Sequence, residues 1–245
     1  MKDIRFYVPK RLFSWDTNPK TVKGQQHGFK TAVLYMAPSD MAGVGDFCPM
    51  ARKANCRDAC LYKAGRGAFT NTQLARINKT KYFVYARKQF MNHMVEEIAE
   101  FVFKTRAEGF TPLIRPNGTQ DIQWENIKVE YEGRSFANVM EIFPDEQFYD
   151  YTKIPNRKPP PNYDLTFSYS GTDAFQPYVK RALKAGMRMA VVFRNRPEQG
   201  TEFLDQEVLD GDDSDLRHLD PPGSIIALYA KGPAKKDTSG FVVHN

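Results

Sequence analysis

Six short apolar runs alternate along the chain with stretches of helical character, and this alternation limits the fold more than any other feature. The runs cover residues 31–36, 111–115, 147–153, 163–168, 189–193 and 224–230. Short buried strands separated by helices are typical of a mainly parallel sheet, because parallel neighbours need crossover connections. We therefore predict an α/β fold with a mainly parallel sheet and alternating helices, arranged as a partial or irregular TIM-like barrel.

The longest helical pattern lies between residues 71 and 109. Phe90, Met94, Ile98 and Phe101 recur there at steps of three and four, which predicts a helix with a buried apolar face and a break near Lys79. Shorter helices are predicted at 135–142 and 173–185. Residues 154–162 are rich in proline and predict an extended surface loop, and residues 205–220 predict a solvated acidic loop.

A length of 245 residues is compatible with one domain. We predict a single α/β domain over residues 31–245, preceded by a polar, basic arm or lid over residues 1–30. The chain shows neither an apolar run of the ~20 residues that cross a bilayer nor the apolar centre of a signal peptide. These observations predict a cytoplasmic location and no membrane partner.

All three cysteines fall in one short segment, at Cys48, Cys56 and Cys60. Thiols stay reduced in the cytoplasm, which favours metal binding over disulfides. A structural zinc or an iron–sulfur cluster normally takes four protein ligands, so the segment lacks one. The fourth position is either open or filled by a histidine, for which His93 on the long predicted helix is the candidate.

Polar side chains follow several predicted strands, at the end where α/β folds assemble their active sites. Asn117 and Asp121 lie in the turn after the strand at 111–115. Asp121 is a candidate nucleophile at a sugar carbon or general base, and Asn117 is a candidate to orient a substrate amide or base edge. The alternative is that Asp121 only caps the following turn.

The strand at 147–153 carries a further pair of candidates. Side chains alternate along a strand, so Tyr149, Tyr151 and Lys153 share one face while Asp150 points to the other. Lys153 is the catalytic candidate if the tyrosine face lines a pocket, and Asp150 is the candidate if it does not. The predicted substrate-binding residues are Arg115, Ser168, Arg194, Arg217 and Lys231. Arg217 could instead pair with an aspartate of the acidic loop.

The net charge is +6 and aromatic residues make up 13% of the chain. Basic side chains neutralise phosphates and aromatic rings stack on bases, so this composition suits a nucleic acid or nucleotide partner. The alternative is that the charge only keeps the protein soluble.

The cysteine segment resembles that of a phage and plasmid family known as gene product eighty-eight. Cys48-Pro49, Cys56 and Cys60-Leu61-Tyr62-Lys63-Ala64-Gly65 are similar to that family's Cys-Pro, second cysteine and Cys-Tyr-Ala motifs. Residues 114–121 and 148–153 are similar to its later turn and Tyr-Thr strand, so the resemblance spans residues 45–195. It implies a protein that works in the cytoplasm of a bacterial host.

The segment is also distantly similar to two groups of barrel enzymes. Radical S-adenosylmethionine enzymes hold a cluster on three cysteines and leave one iron open, although the spacing of seven and three intervening residues here is wider than theirs. Deazaguanine transglycosylases combine a catalytic aspartate, which Asp121 would match, with a Cys-Cys-Cys-His zinc site. Their zinc cysteines lie late in the chain, whereas these lie early.

We therefore expect a phage or mobile-element enzyme that modifies nucleic acid or nucleotides, with a transglycosylase-like base exchange as the leading mechanism. The metal would be an iron–sulfur cluster or zinc. One alternative is a radical enzyme that uses S-adenosylmethionine. The other is a nucleic-acid-binding protein without catalysis, in which the metal only staples a loop and the segment Arg157-Lys158-Pro159 touches phosphate.

Overall fold

The computed structural model describes residues 6–15 and 18–245. Its strands are β1 (Phe13–Trp15), β2 (Phe29–Leu34), β3 (Thr111–Arg115), β4 (Val129–Tyr131), β5 (Arg134–Phe136), β6 (Gln147–Thr152), β7 (Tyr163–Ser168), β8 (Met189–Phe193), β9 (Glu202–Phe203), β10 (Gln206–Asp210) and β11 (Ile225–Tyr229). Its helices are α1 (Pro19–Lys23), α2 (Thr70–Tyr85), α3 (Arg87–Ala107), α4 (Val139–Ile142) and α5 (Gln176–Lys184). Of these helices, none is long and apolar enough to cross a membrane.

Nine of the described strands form one sheet, in the order β1-β2-β3-β6-β7-β8-β11-β10-β9. The six strands β2, β3, β6, β7, β8 and β11 lie side by side in this order, and each pairs in parallel with its neighbours. β10 also pairs in parallel with β11. β1 and β9 pair antiparallel at the two ends and not with each other, so the sheet is open. The predicted α/β class and mainly parallel sheet are confirmed, whereas the sheet does not close into a barrel.

The two faces of the sheet have different surroundings. Ile114, Phe148 and Tyr163 are buried in one cluster with α3, and Phe167 is buried in another with α5, so this is the helix-covered face. Side chains one residue away point to the opposite face. That opposite face, which includes Lys153, lines a large cavity and is called the cavity face below.

The long helical pattern forms two helices, and the break lies at Ala86 rather than near Lys79. Ala86 has φ −136°, outside the helical range, and the guanidinium Nε of Arg87 donates to the carbonyl of Phe83 at 2.8 Å. This hydrogen bond satisfies a carbonyl near the helix end. The predicted apolar stripe is confirmed, because Phe90, Met94, Ile98 and Phe101 are all buried.

Two predicted segments differ from the structure. The helix predicted at 135–142 begins as strand β5, which pairs with β4 in a hairpin and leaves only α4 as helix. The acidic loop predicted at 205–220 contains β10, which lies next to the terminal strand β9 and has a mainly polar sequence. Its residues are exposed or only partly buried, so it shows little of the apolar pattern that predicts strands.

The N-terminal segment joins the fold as an edge strand of the sheet. Strand β1 pairs with β2, and Leu12 and Phe13 are buried against the core. The carboxylate of Glu97 on α3 accepts hydrogen bonds from the main-chain N–H groups of both residues, at 2.6 and 3.1 Å. These contacts fix the described part of the predicted arm to α3.

Candidate functional site

The cysteine loop, residues 38–69, follows β2 and is anchored by the segments after β3 and β7. The main-chain N–H of Asp121 donates to the carbonyl of Phe47 at 2.8 Å. On the other side, the hydroxyl of Ser170 donates to the carbonyl of Ala54 at 2.9 Å. The loop is therefore held across the carboxyl ends of the parallel strands.

The three thiols are half-buried and line one cavity. Burial raises the pKa of Cys48, Cys56 and Cys60. Charge on neighbouring thiols would raise the pKa of Cys48 and Cys60 further, whereas Lys153 opposes the rise in the pKa of Cys56. The thiol of Cys48 donates to the carbonyl of Thr119 at 3.6 Å, and the sulfur of Cys60 accepts the N–H of Tyr62 at 3.4 Å. An amide N–H on sulfur favours the thiolate, the form that binds metals.

The cavity has a volume of about 1130 Å³ and its charged lining is mostly cationic. Eight lysine and arginine residues line it against three aspartates: Lys20, Arg57, Arg66, Arg76, Lys79, Arg115, Lys153 and Lys231, with Asp121, Asp212 and Asp215. A cleft lined by an excess of one charge attracts ligands of the opposite charge. The lining therefore favours an anionic ligand.

Lys153 brings a buried ammonium group to the cysteine wall of this cavity. Its Nζ donates to the carbonyl and hydroxyl of Ser168, at 3.0 and 3.1 Å, and lies 4.9 Å from the ring centre of Phe241. Burial lowers the pKa of Lys153, and negative charge on Cys56 or Asp121 opposes that shift. The tyrosine face of β6 is thus the cavity face, which leaves Lys153 as the candidate of the pair.

Asp121 lines the same cavity, but hydrogen bonds occupy both of its carboxylate oxygens. Oδ1 accepts from the hydroxyl of Thr152 at 2.8 Å, and Oδ2 accepts from the main-chain N–H of Lys153 at 2.8 Å. The guanidinium of Arg157 lies 3.3 Å from Oδ1. Burial raises the pKa of Asp121, and Arg157 and the two donors oppose that shift. In this arrangement the carboxylate ties the segment after β3 to the end of β6.

Arg157 belongs to the proline-rich segment, and its side chain is fully buried. Its Nε and Nη2 donate to the carboxylate of Glu125 at 2.8 and 2.6 Å, and the hydroxyl of Tyr163 accepts from Nη2 at 3.1 Å. The segment is a loop at the surface, as predicted, with Lys158 exposed. The guanidinium of Arg157, however, is held by internal acceptors and does not face outward to meet phosphate.

Asn117 and Asp150 both serve internal contacts. The amide of Asn117 donates to the carbonyl of Ile122 at 2.9 Å and accepts from the indole N–H of Trp124 at 3.0 Å. Asp150 is fully buried on the helix-covered face, where it accepts from the N–H of Asn117 at 2.9 Å and the hydroxyl of Tyr163 at 2.7 Å. Asn117 lines the cavity, and Asp150 does not.

Three of the five predicted substrate-binding residues line the cavity, namely Arg115, Ser168 and Lys231. Arg115 donates to a carboxylate oxygen of Asp215 at 2.8 Å. Burial alone would raise the pKa of Asp215, but Arg115 holds it below its usual value. The charge of Arg115 is therefore already paired.

The other two predicted substrate-binding residues lie outside the cavity lining. Arg194 donates to the carbonyl of Lys235 at 2.5 Å and thereby holds the C-terminal segment. Arg217 donates to the carbonyl of Ser214 at 2.9 Å and pairs with Asp220 at 3.1 Å, which is the internal pairing considered as its alternative.

His93 does not lie with the cysteines. Its Nε2 is 3.7 Å from the carboxylate of Glu97, in a separate cavity that Lys10 and Arg11 also line. Over residues 6–15 and 18–245, no group of three or more His, Cys, Asp or Glu side chains converges as a ready site for a metal ion. By donor chemistry the three thiols fit a soft metal such as zinc or cluster iron.

Sequence reasoning missed Arg76, which lines the cavity with its guanidinium close to the rings of Tyr35 and Tyr62. On α2 the cavity-lining residues Thr72, Arg76 and Lys79 recur at helical spacing. A polar stripe on a helix beside the cysteine loop was the available signal, but the same stripe is normal for a solvent-facing helix.

These features define an α/β protein with a cationic, cysteine-lined cavity at the carboxyl ends of its parallel strands. The family model of Gene product 88 matches residues 11–245, so the chain belongs to the gene product 88 family. The family resemblance predicted from residues 45–195 is confirmed and extends over most of the chain. No curated protein and no solved structure matches the chain, and the likeness to transglycosylases or radical enzymes finds no support there.

Proposed function

We propose that the protein is a phage or mobile-element enzyme that holds an iron–sulfur cluster on Cys48, Cys56 and Cys60 and acts on an anionic substrate, such as a nucleotide or nucleic acid. One observation carries the proposal. The only three thiols of the chain line a single cavity of about 1130 Å³ whose charged lining is mainly cationic.

A cluster accounts for the thiols better than a single zinc ion. Around one ion all ligand atoms converge on a point, and the described side chains do not converge in that way. In a multi-iron cluster each thiolate binds a different iron, so the sulfurs are spread more widely. Cys48, Cys56 and Cys60 would hold such a cluster, and with three protein ligands it would keep one position open for a ligand from the cavity.

When bound, such a cluster supplies single electrons to a co-substrate, for which S-adenosylmethionine is the candidate. The protein's own contribution is to keep the thiols half-buried, to place the Lys153 ammonium near them and to surround the substrate with cationic groups. A nearby cation stabilises the negative charge of metal-bound thiolates.

The strand arrangement also supports this proposal. The six central parallel strands neighbour each other in chain order, and the cysteine loop follows the first of them, β2. A sheet wound in one direction is the starting point of a partial barrel, and the carboxyl ends of its strands are where barrel enzymes place their chemistry.

Base exchange led by Asp121 is supported less well. A nucleophilic carboxylate needs a free oxygen that faces the sugar carbon. Both oxygens of Asp121 instead accept short hydrogen bonds, from Thr152 and Lys153, and Arg157 pairs with one of them.

Metal analysis of the anaerobically purified and reconstituted protein tests the proposal. We expect a brown protein with about four irons and matching sulfide per chain. Each of Cys48→Ser, Cys56→Ser and Cys60→Ser should lose most of the iron. After reduction, cleavage of S-adenosylmethionine should yield 5′-deoxyadenosine.

His93→Ala is the control, because His93 lies in a different cavity and its replacement should leave the iron content unchanged. A colourless protein with one zinc that depends on His93 would support the zinc staple instead. A protein that binds neither metal would overturn the proposal. A protein that binds the cluster but does not cleave S-adenosylmethionine would support the cluster site and exclude S-adenosylmethionine as the co-substrate.

A further inference from the structure

We propose that Arg76 binds an oxyanion, a phosphate or carboxylate group, of the molecule that occupies the cysteine-lined cavity. The inference rests on the proposed function only in treating this cavity as the substrate site. It assigns a binding role to a residue on helix α2, outside the strand ends and the cysteine loop.

The guanidinium of Arg76 lies close to two tyrosine rings. Its central carbon lies 4.9 Å from the ring centre of Tyr35 and 5.5 Å from that of Tyr62. A cation over an aromatic face is attracted by the π-electrons and spends no N–H donor on that contact. The two rings therefore hold the group in place without using its donors.

Two nitrogen donors of this group have no partner among the described residues. Nε and Nη1 of Arg76 are buried, and neither has a hydrogen-bond partner among the described residues. A buried donor without an acceptor is costly, and a buried charge without a counter-ion is more so. An oxyanion removes both costs, since a guanidinium can donate to two oxygens of a phosphate or carboxylate at once.

Gly67 packs tightly against the main chain beside Arg76. A Cβ atom placed on Gly67 would lie 2.9 Å from the carbonyl oxygens of Leu61 and Tyr62 and 3.2 Å from Nη1 of Arg76. Only glycine fits against these two carbonyl oxygens. Arg76 also lies near the cysteine loop, because its guanidinium is close to the ring of Tyr62, two residues after Cys60. An anion bound there would be close to the proposed cluster.

Two other cations of the cavity are paired with aspartates. Arg57 pairs with Asp40 at 2.5 Å, and Lys231 pairs with Asp212 at 3.3 Å. Nε and Nη1 of Arg76, in contrast, have no hydrogen-bond partner within the described part of the chain. The charge of Arg76 is therefore available to a ligand.

Calorimetric titration of the full-length reconstituted protein with inorganic phosphate and, separately, with propionate tests this subsite. We expect saturable binding of at least one of the two anions. Arg76→Met should weaken it about tenfold or more, because charge-assisted hydrogen bonds are lost. Arg76→Lys should weaken binding less, because lysine keeps the positive charge and loses only the paired N–H donors of the guanidinium. The anion that binds identifies the substrate group.

Arg52→Gln is the matched control, because Arg52 belongs to the same loop and pairs with Asp40 at 3.2 Å, while the cavity lining does not include it. Its affinity should stay within about twofold of the wild type. The subsite is overturned if neither anion binds to the wild type, or if Arg76→Met binds as tightly as the wild type. If Arg76→Met does not fold, as shown by circular dichroism, unchanged affinity in Arg76→Lys overturns it.

Cys60→Ser separates this inference from the proposed function. The variant should lose iron if the cluster proposal holds. Repeating the titration on it shows whether Arg76 governs anion binding in the absence of metal. Iron loading and anion affinity are thus measured independently, so the failure of either is recognised by itself.

Discussion

The main-chain N–H of Lys153 donates to the carboxylate of Asp121 at 2.8 Å, while the ammonium of the same lysine reaches Ser168 at 3.0 Å. One residue thus joins the segment after β3 to the end of β7. Because both partners hold Lys153 in place, the position of its charge beside the thiols depends on Asp121.

The first prediction concerns Asp121→Asn. Replacing the carboxylate leaves the buried Arg157 without part of its counter-charge, so the free energy of unfolding should fall by about 3 kcal/mol. Urea unfolding measures the change. Asp58→Asn is the control, because Asp58 is 95% exposed and its replacement should cost less than about 0.5 kcal/mol. Wild-type stability combined with complete loss of activity would instead favour a nucleophilic Asp121.

The second prediction concerns the charge of Lys153 in the cluster-loaded protein. Lys153→Met removes a buried cation near the thiols, which should make reduction harder and lower the potential by about 100 mV. Spectroscopic redox titration measures the shift.

Two variants control for this effect. Lys153→Arg keeps the charge and should keep most of the potential. Lys53→Met removes a cation that contacts Tyr178 on the exposed side of the same loop, where solvent screens it. Equal potentials for Lys153→Met and the wild type would show that the ammonium does not act on the cluster.

The third prediction concerns Gly67→Ala. The added methyl would lie 2.9 Å from two carbonyl oxygens, so the variant should lose about 1–3 kcal/mol of stability and weaken anion binding by displacing Arg76. Gly24→Ala is the matched control. Gly24 is also buried and has φ −58°, and a methyl there would meet Leu216 at an acceptable 3.4 Å. Equal thermal stability of the two variants would contradict the prediction.

The fourth prediction concerns the pH dependence of stability. Burial raises the pKa of Asp150 to about 7. The folded protein therefore holds a proton on this carboxyl at pH values where the unfolded chain has lost it, and stability falls as pH rises towards 7. Between pH 5 and pH 8 this loss should be on the order of 3 kcal/mol.

Asp150→Asn removes the titrating group and should remove that share of the pH dependence. Unfolding free energies at both pH values, for the wild type and the variant, measure the difference. Asp58→Asn, which changes an exposed carboxylate, should follow the wild-type pH dependence. Parallel curves for Asp150→Asn and the wild type would show that Asp150 is ionised at neutral pH in the folded protein.

The central strands could be predicted from the sequence, and the edge strands could not. The runs at 111–115, 163–168 and 189–193 coincide with β3, β7 and β8, because strands between two neighbours carry nearly continuous apolar sequence. β1, β9 and β10 lie at or near the sheet ends; β1 and β9 are only three and two residues long, and β10 carries mainly polar side chains. Their pairing is set by tertiary contacts that local pattern does not contain.

The candidate site was predicted in part for a related reason. Loops after parallel strands meet at one edge of a sheet, so the cysteines, Asp121 and Lys153 could be expected together. The sequence could not show which of these groups are already held by hydrogen bonds or ion pairs. Whether Asp121 is free or Arg76 is unpaired depends on partners distant in sequence, such as Arg157 and Tyr35.

The buried pair of Arg157 and Glu125 has a consequence for how relatives of this protein can diverge. Loss of either residue leaves the charge of the other buried without a counter-ion, so single replacements at these positions should be selected against. The neighbouring prolines at 155 and 159–161 carry no such constraint from this pair. Among relatives, positions 125 and 157 should therefore covary, while the prolines between β6 and β7 are exchanged independently.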